Sequence, residues 1–428
     1  MTSYKLYHTH RETIHNFLWR SLQIFGKQGI IFLIFILCAK LLTPYDFGIY
    51  NYVLAIIFFL IIFGDFGIST ATSKYVAEYN VTDREKLKSV LFNSGIIILS
   101  LTILITIITL IFGKLYLQDK YTYILYILPL IFLAPITSLY DGVYRGLKKF
   151  KQLSIITLIV GILSLSFVYI FIKQYGLIGA LISQNLFYVL LLIGLALGYR
   201  DFSFKLNKEV MKTVATYSLL AGLADLGIFL YIRADIVILG LFNYINEIAY
   251  YELANRIFML LALPFAIFSQ VIAPNITRLF VNKEYNKIKF VIKRYFIYSI
   301  IIAAIISLLS YLIVKPLIIY FLPHYDNNYF YLFFNLLLII FPIRVFGTIL
   351  ATSFIVSTGN AKIITYNNLL FGILNVVMDV IFIYLFGFVG VIYSTIILGY
   401  ISVLIAYYYF NKNINLKNEK SKNINNNS

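Results

Sequence analysis

Charge and cysteine are both scarce in this sequence. Only 12% of the 428 residues are charged, and Cys38 is the single cysteine. One cysteine excludes an internal disulfide framework and a cysteine metal cluster. The low charge, together with 61% hydrophobic residues, excludes an ordinary soluble domain. The four histidines lie near the start of the chain and in one predicted exterior loop, and we expect neither a metal site nor a cofactor.

What the sequence has instead is a series of long apolar runs. A helix needs about 20 apolar residues to cross a hydrocarbon core of about 30 Å. The runs are continuous rather than alternating, which favours helices over membrane strands. They predict an all-α polytopic membrane protein with twelve transmembrane helices. We place the helices at about 17–42, 47–75, 89–112, 123–145, 153–173, 177–199, 214–241, 248–280, 295–314, 331–357, 363–386 and 388–410.

The basic residues fix the predicted orientation. With the N-terminus inside, interior segments carry 26 of the 35 Lys and Arg residues. The exterior loops hold only Lys114, Lys120, Lys173 and Lys315. This asymmetry follows the positive-inside pattern and predicts that both termini are cytoplasmic. The net charge of +17 is therefore a signal of topology, and no nucleic-acid partner is expected.

The two halves of the chain repeat each other. Residues 150–183 align with 361–394, which places the GIL at 161–163 on the GIL at 372–374. Six helices in each repeat predict two six-helix lobes related by a parallel pseudo-twofold repeat. The predicted organisation is a cytoplasmic N-terminal segment (1–16), an N-terminal lobe (17–199), a cytoplasmic linker (200–213), a C-terminal lobe (214–410) and a disordered cytoplasmic tail (411–428).

Several cations lie inside the predicted helices. A charge at mid-bilayer costs about 2.5–3.5 kcal/mol, so these side chains should face a wet cavity or a partner rather than lipid. Arg20 and Lys27 are seven residues apart and share one helix face. With Arg233 and Arg344, they predict a cationic cavity for an anionic guest, because the planar guanidinium group suits phosphate.

Four acids lie in the same helices: Asp65, Asp225, Asp235 and Asp379. Ion coupling and structural pairing are both open for them. Asp235 could bridge to Arg256, as could Glu252 four residues before that arginine. Asp379 could pair with Asn375. On a straight helix Arg233 and Asp235 point about 200° apart, so one would face a cavity and the other a neighbouring helix.

The run LLTPYDFGIYNYVLAIIFFLIIFGDFGISTATSKYVAEY (41–79) resembles the first-hairpin signature of O-antigen-type polysaccharide flippases. This family belongs to the multidrug/oligosaccharidyl-lipid/polysaccharide exporter superfamily. Each further motif is loose by itself, but their order is specific. These stretches are YRGLKKFK (144–151), RADIVILGLFNYINEIAYYELANRI (233–257), APNITRLF (273–280) and STGNAK (357–362).

The resemblance implies a two-lobe transporter of undecaprenyl-pyrophosphate-linked oligosaccharide in the bacterial inner membrane. It implies a cationic central cavity lined by Arg20, Lys27, Arg233 and Arg256, whereas Arg344 has no family motif behind it. Membrane lipid, the polysaccharide polymerase and the chain-length machinery are the partners expected for such a protein. The transported unit would be built into a lipopolysaccharide or another surface polysaccharide.

Two other functions remain open. A multidrug antiporter of the same superfamily would favour an acidic cavity, against which the surplus of Arg and Lys argues. A membrane-embedded polymerase or glycosyltransferase would need a large exterior loop, and the longest one here, about 315–330, is short. The sequence therefore favours transport over catalysis.

Overall fold

The computed structural model describes the backbone of residues 2–426 and the side chains of residues 18–419. The protein is 92% helical, and no strand occurs in this part of the chain. The all-α class predicted from the continuous apolar runs is confirmed. The α-helices are α1 Thr2–Leu41, α2 Pro44–Asp65, α3 Ile68–Thr82, α4 Arg84–Leu117, α5 Tyr121–Ile127, α6 Leu130–Gly146, α7 Phe150–Gly198, α8 Lys208–Ile232, α9 Ala234–Leu241, α10 Ile245–Val281, α11 Tyr285–Phe321, α12 Asn328–Ile349, α13 Ala361–Phe386 and α14 Gly390–Asn426. A π-helical turn, Leu350–Val356, continues α12.

Nine helical segments within the described chain are long and apolar enough to cross a membrane. The protein is thus a multi-pass membrane protein. Twelve spans are predicted, and nine segments are found in this part of the chain. Part of the difference arises because some segments each contain two predicted spans. Phe150–Gly198 is a single segment, although the backbone at Gly176 is not helical (φ 55°, ψ −130°). Ala361–Glu419 likewise joins α13 and α14, and Arg84–Ile127 joins α4 and α5. α6 is too short by itself to qualify. The count of twelve and the pseudo-twofold repeat stay predictions.

Local chemistry explains where many helices begin. The Thr43 side chain accepts a hydrogen bond from the Asp46 amide (3.1 Å) and caps α2, whose first residue is Pro44. Asp83 caps α4 in the same way, accepting from the amides of Glu85 (3.0 Å) and Lys86 (3.1 Å). These caps satisfy amides that the first turn of a helix leaves without partners.

Two helix breaks fall inside predicted spans and were not predicted. α2 ends at Asp65, and Phe66 and Gly67 then adopt left-handed conformations (φ 38° and 78°) before α3 begins. α8 ends at Ile232, and Arg233 (φ −129°, ψ −12°) separates it from α9. The straight helix assumed for Arg233 and Asp235 is therefore wrong. Neither break contains a proline, the residue that most clearly marks a helix break in a sequence.

The predicted disorder of the C-terminal tail is wrong for residues 411–426, because α14 continues to Asn426. Two contacts hold its extension. The Asn413 side chain donates to Asn360 Oδ1 (2.8 Å), and the Lys417 ammonium lies 4.4 Å from the centre of the Phe280 ring. These contacts stabilise helix beyond the apolar run. Residues 427 and 428 lie outside the described part of the chain.

The chain forms two compact units, residues 1–226 and 227–428. In unit 1, α1 packs on α7, and α3 and α6 pack on each other. Its buried core includes Ile68, Val90, Tyr144 and Leu195. The Tyr144 hydroxyl donates to the Leu195 carbonyl (2.9 Å) and ties α6 to α7. The predicted lobe boundaries, with their linker at 200–213, stay a prediction.

In unit 2, α12 is the central helix and packs on α10, α11 and α14. Its side chains Phe330, Phe333, Phe334, Phe341 and Phe346 are almost fully buried. α11, by contrast, exposes a row of apolar side chains. Such exposure suits a surface that faces lipid, where apolar atoms need no burial. The polar groups of unit 2 lie within this apolar packing around α12. The exposed row on α11 includes Ile301, Ile305, Leu308 and Leu312.

Candidate functional site: polar cavities inside the two units

Unit 2 contains a cavity of about 220 Å³, here called cavity A. α8 and α9 supply Tyr231 and Asp235, α10 supplies Asn255, and α12 supplies Arg344. The remaining wall is largely apolar, with Phe258 as one part of it. A few polar groups on an apolar wall is the usual composition of a ligand site.

A second cavity in unit 2, of about 320 Å³, is here called cavity B. It shares Tyr231, Ile232, Arg344 and Thr348 with cavity A, so the two spaces are neighbours. Its own polar residues come from three further elements. They are Thr352 on the π-helical turn, Asn367 and Asn368 on α13, and Ser402 on α14.

Arg344 lies where cavities A and B meet. Its guanidinium carbon is 4.8 Å from the centre of the Tyr231 ring, a cation–π contact that fixes the side chain. Tyr231 is itself fixed, because its hydroxyl lies 2.7 Å from Ser402 Oγ. Within residues 18–419, no carboxylate and no hydrogen-bond acceptor pairs with this guanidinium. A partly buried arginine with its N–H donors directed to open space is a site for an anion.

Two carboxylates are buried together beside cavity A. Asp235 is 2% exposed and Asp379 is fully buried. Asn375 Nδ2 joins them, donating to Asp235 Oδ1 (2.7 Å) and to Asp379 Oδ2 (3.2 Å). Asp235 also accepts from Thr395 Oγ1 (3.0 Å) and from the Tyr251 hydroxyl. All these donors are neutral, so the two negative charges are not balanced by them.

The Asp379 carboxylate keeps one buried oxygen, Oδ1, without a hydrogen-bond partner among the described residues. A buried charge without a counter-charge costs far more than a neutral polar group. The pair must therefore take up positive charge, as a proton or as a bound cation. The oxygens of Asp235, Asp379 and Thr395 suit either. Ion coupling and structural pairing both stay predictions for this pair.

Arg233 is held by an ion pair. Its Nη1 lies 3.1 Å from Glu252 Oε1, and the Glu252 side chain is only 2% exposed. The pair joins the break between α8 and α9 to α10. Arg256, the other cation in this region, lies partly buried on α10 and does not line cavity A or cavity B.

Unit 1 has a cavity of about 210 Å³, here called cavity C. Lys27 on α1 lines it with Asp65 on α2 and Asp141 on α6. No described residue forms an ion pair with the Lys27 ammonium. Asp65 is engaged elsewhere, since its Oδ1 accepts from the Ser69 amide (2.8 Å) and hydroxyl (2.9 Å) and caps α3. Lys27 therefore lines cavity C without an ion-pair partner among the described residues, and its role in binding stays a prediction.

Arg20 belongs to a chain of contacts at the edge of cavity C. Its guanidinium donates to the Gln23 side chain, which in turn donates to Asp141 Oδ1 (3.4 Å). Asp141 pairs with Arg145 (2.7 Å), the neighbour four residues on that the sequence predicts for it. Asp225 is exposed on α8. The cations predicted for one cavity thus belong to two units, and their joint role stays a prediction.

Sequence reasoning missed several residues of the site. Asn255, Asn367, Asn368 and Thr352 line cavities A and B but carry no charge, so the cost of a charge in the membrane does not mark them. An available signal was the Asn pair at 367–368 inside a predicted span, because an amide in the membrane also needs a partner.

The family model for "Polysaccharide biosynthesis protein" matches residues 13–280, well over half of the chain. The chain belongs to the polysaccharide biosynthesis protein family. This confirms the resemblance to polysaccharide flippases found in the sequence. A comparison with curated proteins gives no significant match.

Solved structures show the fold of this family member. An inward-facing multidrug resistance MATE family transporter of the MOP superfamily is 17% identical, with a TM-score of 0.77 over 92% of this chain and 96% of that one. The lipid II flippase MurJ, in an inward closed conformation, is 17% identical, with a TM-score of 0.72 over 94% and 90%. A MOP superfamily transporter from Pyrococcus furiosus is 17% identical, with a TM-score of 0.64 over 94% of each chain. The fold is that of MOP transporters.

Proposed function

We propose that this protein is a flippase that moves undecaprenyl-pyrophosphate-linked oligosaccharide across the bacterial cytoplasmic (inner) membrane. The cargo is a repeat unit of O-antigen or of another surface polysaccharide, and both termini are cytoplasmic. The observation that carries the proposal is Arg344, which lines two cavities and has no acidic partner among residues 18–419. Membership of the polysaccharide biosynthesis family supports it, as does the likeness in fold to a lipid II flippase.

The chemistry of such a step is binding and release, not bond making. Arg344 and Lys27 attract the pyrophosphate, since both are cations without an acidic partner in the described chain. Arg20 adds positive potential in unit 1, and Arg233 and Arg256 add it in unit 2. The polyprenyl tail stays in lipid, and the two lobes exchange access between leaflets. The flippase passes its cargo on to the polymerase and the chain-length machinery.

Ion coupling is assigned to Asp235 and Asp379. A proton or a monovalent cation at this buried pair removes the cost of two unbalanced charges. Asp235 also lines cavity A with Arg344, so the ion and the anionic headgroup would occupy neighbouring positions. Asp65, which caps α3, and Asp225, which is exposed, have structural or solvated roles.

The test is complementation of a strain that assembles the polymer repeat but lacks its flippase. Wild type, Arg344→Ala and Arg344→Lys are compared for surface polysaccharide at equal membrane expression. We expect wild type to restore the polymer and Arg344→Ala to lower it about 10- to 100-fold, the effect of losing a charge-assisted contact of about 1.5–3 kcal/mol. Arg344→Lys keeps the charge but loses the planar fork, and should be intermediate.

Arg294→Ala is the matched control for this experiment. Arg294 also lies over an aromatic ring, 4.4 Å from the centre of Phe290, but it is exposed and lines none of the three cavities. It should complement like wild type. The contrary result is that wild type fails to complement in several sugar-repeat backgrounds and raises resistance to cationic drugs. That result would refute the flippase function and support the multidrug antiporter.

A further inference from the structure

Cavity B is lined by several polar side chains that have no hydrogen-bond partner in the described chain. The side-chain amides of Asn367 and Asn368 and the hydroxyl of Thr352 line it. Among residues 18–419, none of the three donates or accepts a side-chain hydrogen bond. Arg344 lines the same space without an anionic partner. Four polar side chains therefore face one cavity with their hydrogen-bonding capacity open.

The fold itself does not need these amides. In the internal alignment, Asn367 and Asn368 correspond to Ile156 and Thr157 of the first half. Ile156 is apolar, and Thr157 donates its hydroxyl to the Leu153 carbonyl of its own helix (2.7 Å). The aligned positions of the first half therefore carry no side-chain amide. Asn367 and Asn368 are partly buried, and no hydrogen bond within the described chain uses their side-chain amides. They are therefore available to a ligand in the cavity that they line.

The local backbone also directs polar groups into cavity B. Thr348 ends the regular part of α12, and Thr352 follows four residues later on the π-helical turn Leu350–Val356. Both threonines form part of the wall of cavity B. π-Helical turns inside α-helices occur frequently at functional sites.

The chemistry of the wall selects a class of ligand. An amide offers two donors and an acceptor with two lone pairs, which matches neighbouring hydroxyl groups on a ring. Neutral amides do not favour a phosphate over water, and an acyl chain would leave them unsatisfied. The volume of about 320 Å³ lies at the lower end of pockets for small molecules. A sugar ring beside Arg344 satisfies the amides and the guanidinium together.

We propose that cavity B binds the sugar residue attached to the pyrophosphate, with Asn367, Asn368 and Thr352 bonding its hydroxyl or acetamido groups while Arg344 holds the phosphate. This subsite rests on the proposed flippase function and goes beyond it. It places the choice of the first sugar in unit 2. A change at these amides would then alter which repeat unit is accepted, without altering the affinity for the pyrophosphate.

The test measures dissociation constants with purified full-length protein in detergent. The probes are farnesyl diphosphate and farnesyl diphosphates carrying glucose, galactose, N-acetylglucosamine, N-acetylgalactosamine or glucuronic acid. We expect wild type to bind at least one sugar-bearing probe about tenfold more tightly than farnesyl diphosphate. The N367A/N368A variant should lose that advantage and keep its affinity for farnesyl diphosphate. R344A should bind every probe more weakly.

The controls separate the subsite from the rest of the protein. Thr365 lies on the same helix and lines neither cavity. The T365A variant should therefore bind every probe with the affinity of wild type. N367A/N368A should unfold at the same temperature as wild type, because the two amides form no side-chain hydrogen bond within residues 18–419. A fall in that temperature would show a structural role and overturn the proposal.

The outcomes also separate this proposal from the proposed function. If wild type binds farnesyl diphosphate but no added sugar improves the affinity, cavity B holds only water and the subsite is refuted, while pyrophosphate binding stands. A sugar preference that survives in N367A/N368A refutes it equally. If wild type binds no probe at all, both the subsite and the flippase headgroup site fail.

Discussion

At the scale of single residues, the structure sorts buried charges by whether a partner balances them. Arg233 has Glu252, and Arg145 has Asp141. Asp235 and Asp379 have only neutral donors. The Arg233–Glu252 pair ties two elements together, and the Arg145–Asp141 pair lies within α6. A proton or cation would complete the carboxylate pair. Each group predicts a different response to substitution.

Asp379→Asn is predicted to abolish stabilisation by the coupling ion. A ligand that binds only the folded state raises stability by about 2.7 kcal/mol at 100 times its dissociation constant. The unfolding temperature of wild type should therefore rise in the cation that binds, when sodium, lithium, potassium and choline chlorides are compared at equal ionic strength. Asp225→Asn, at an exposed position, should keep this response. If no cation raises the temperature for wild type, the pair is held by a proton.

Arg233→Ala is predicted to destabilise the protein rather than only weaken substrate binding. It leaves the carboxylate of Glu252, 1% exposed, without its counter-charge. Breaking a buried pair costs about 3–5 kcal/mol, and we expect about 2–3 because the Arg233 side chain is 27% exposed. The unfolding temperature in detergent measures this loss.

The double variant Arg233→Leu with Glu252→Leu separates the two roles of Arg233. It removes both charges, so we expect it to recover most of the stability that Arg233→Ala loses. If Arg233→Ala folds normally yet fails to transport, Arg233 acts on the headgroup directly, as the sequence predicted.

At the scale of elements, helix breaks place the functional side chains. The left-handed residues Phe66 and Gly67 allow Asp65 to cap α3. The break at Arg233 brings this arginine to Glu252 and leaves Asp235 on the next helix, at the carboxylate pair. The backbone, rather than helix periodicity alone, therefore decides which charges meet.

Gly67→Ala is predicted to lower the free energy of unfolding by at least about 1–3 kcal/mol. Gly67 has φ 78°, and a Cβ there would lie 2.5 Å from the Gly222 amide nitrogen of α8. Gly29→Ala is the control, since no atom lies within 4 Å of its added Cβ and alanine favours a helix by about 0.5–1 kcal/mol. Thermal unfolding of both variants checks the contrast, and equal stability would show that the break can rearrange.

At the scale of the whole molecule, the predicted orientation can be read with cysteine labels. Cys38 is fully buried, so wild type should not react with a membrane-impermeant maleimide. Lys205→Cys and His324→Cys place thiols at exposed positions on the predicted inner and outer sides. In cells whose outer membrane has been opened, we expect label at 324 and none at 205 until the inner membrane is permeabilised. The opposite pattern would reverse the topology.

The candidate site was predictable in part. Charges inside apolar helices stand out in a sequence because their transfer cost is large and local. Arg344, Lys27 and Asp235 were found in this way, and each lines a cavity. Asn367 and Asn368 were not found, because the cost of an amide depends on whether neighbouring helices supply a partner.

The sequence by itself determined that this is an all-helical, multi-pass membrane protein that resembles polysaccharide flippases. Apolar length and the order of short motifs are properties of the chain that need no knowledge of packing. Only the tertiary structure decided that Glu252 pairs with Arg233 and that Asn375 joins Asp235 to Asp379. It also decided that Arg344 has no acidic partner among the described residues. The physical reason is that pairing requires donor and acceptor atoms within about 3 Å. Helix breaks and packing between distant segments set that distance.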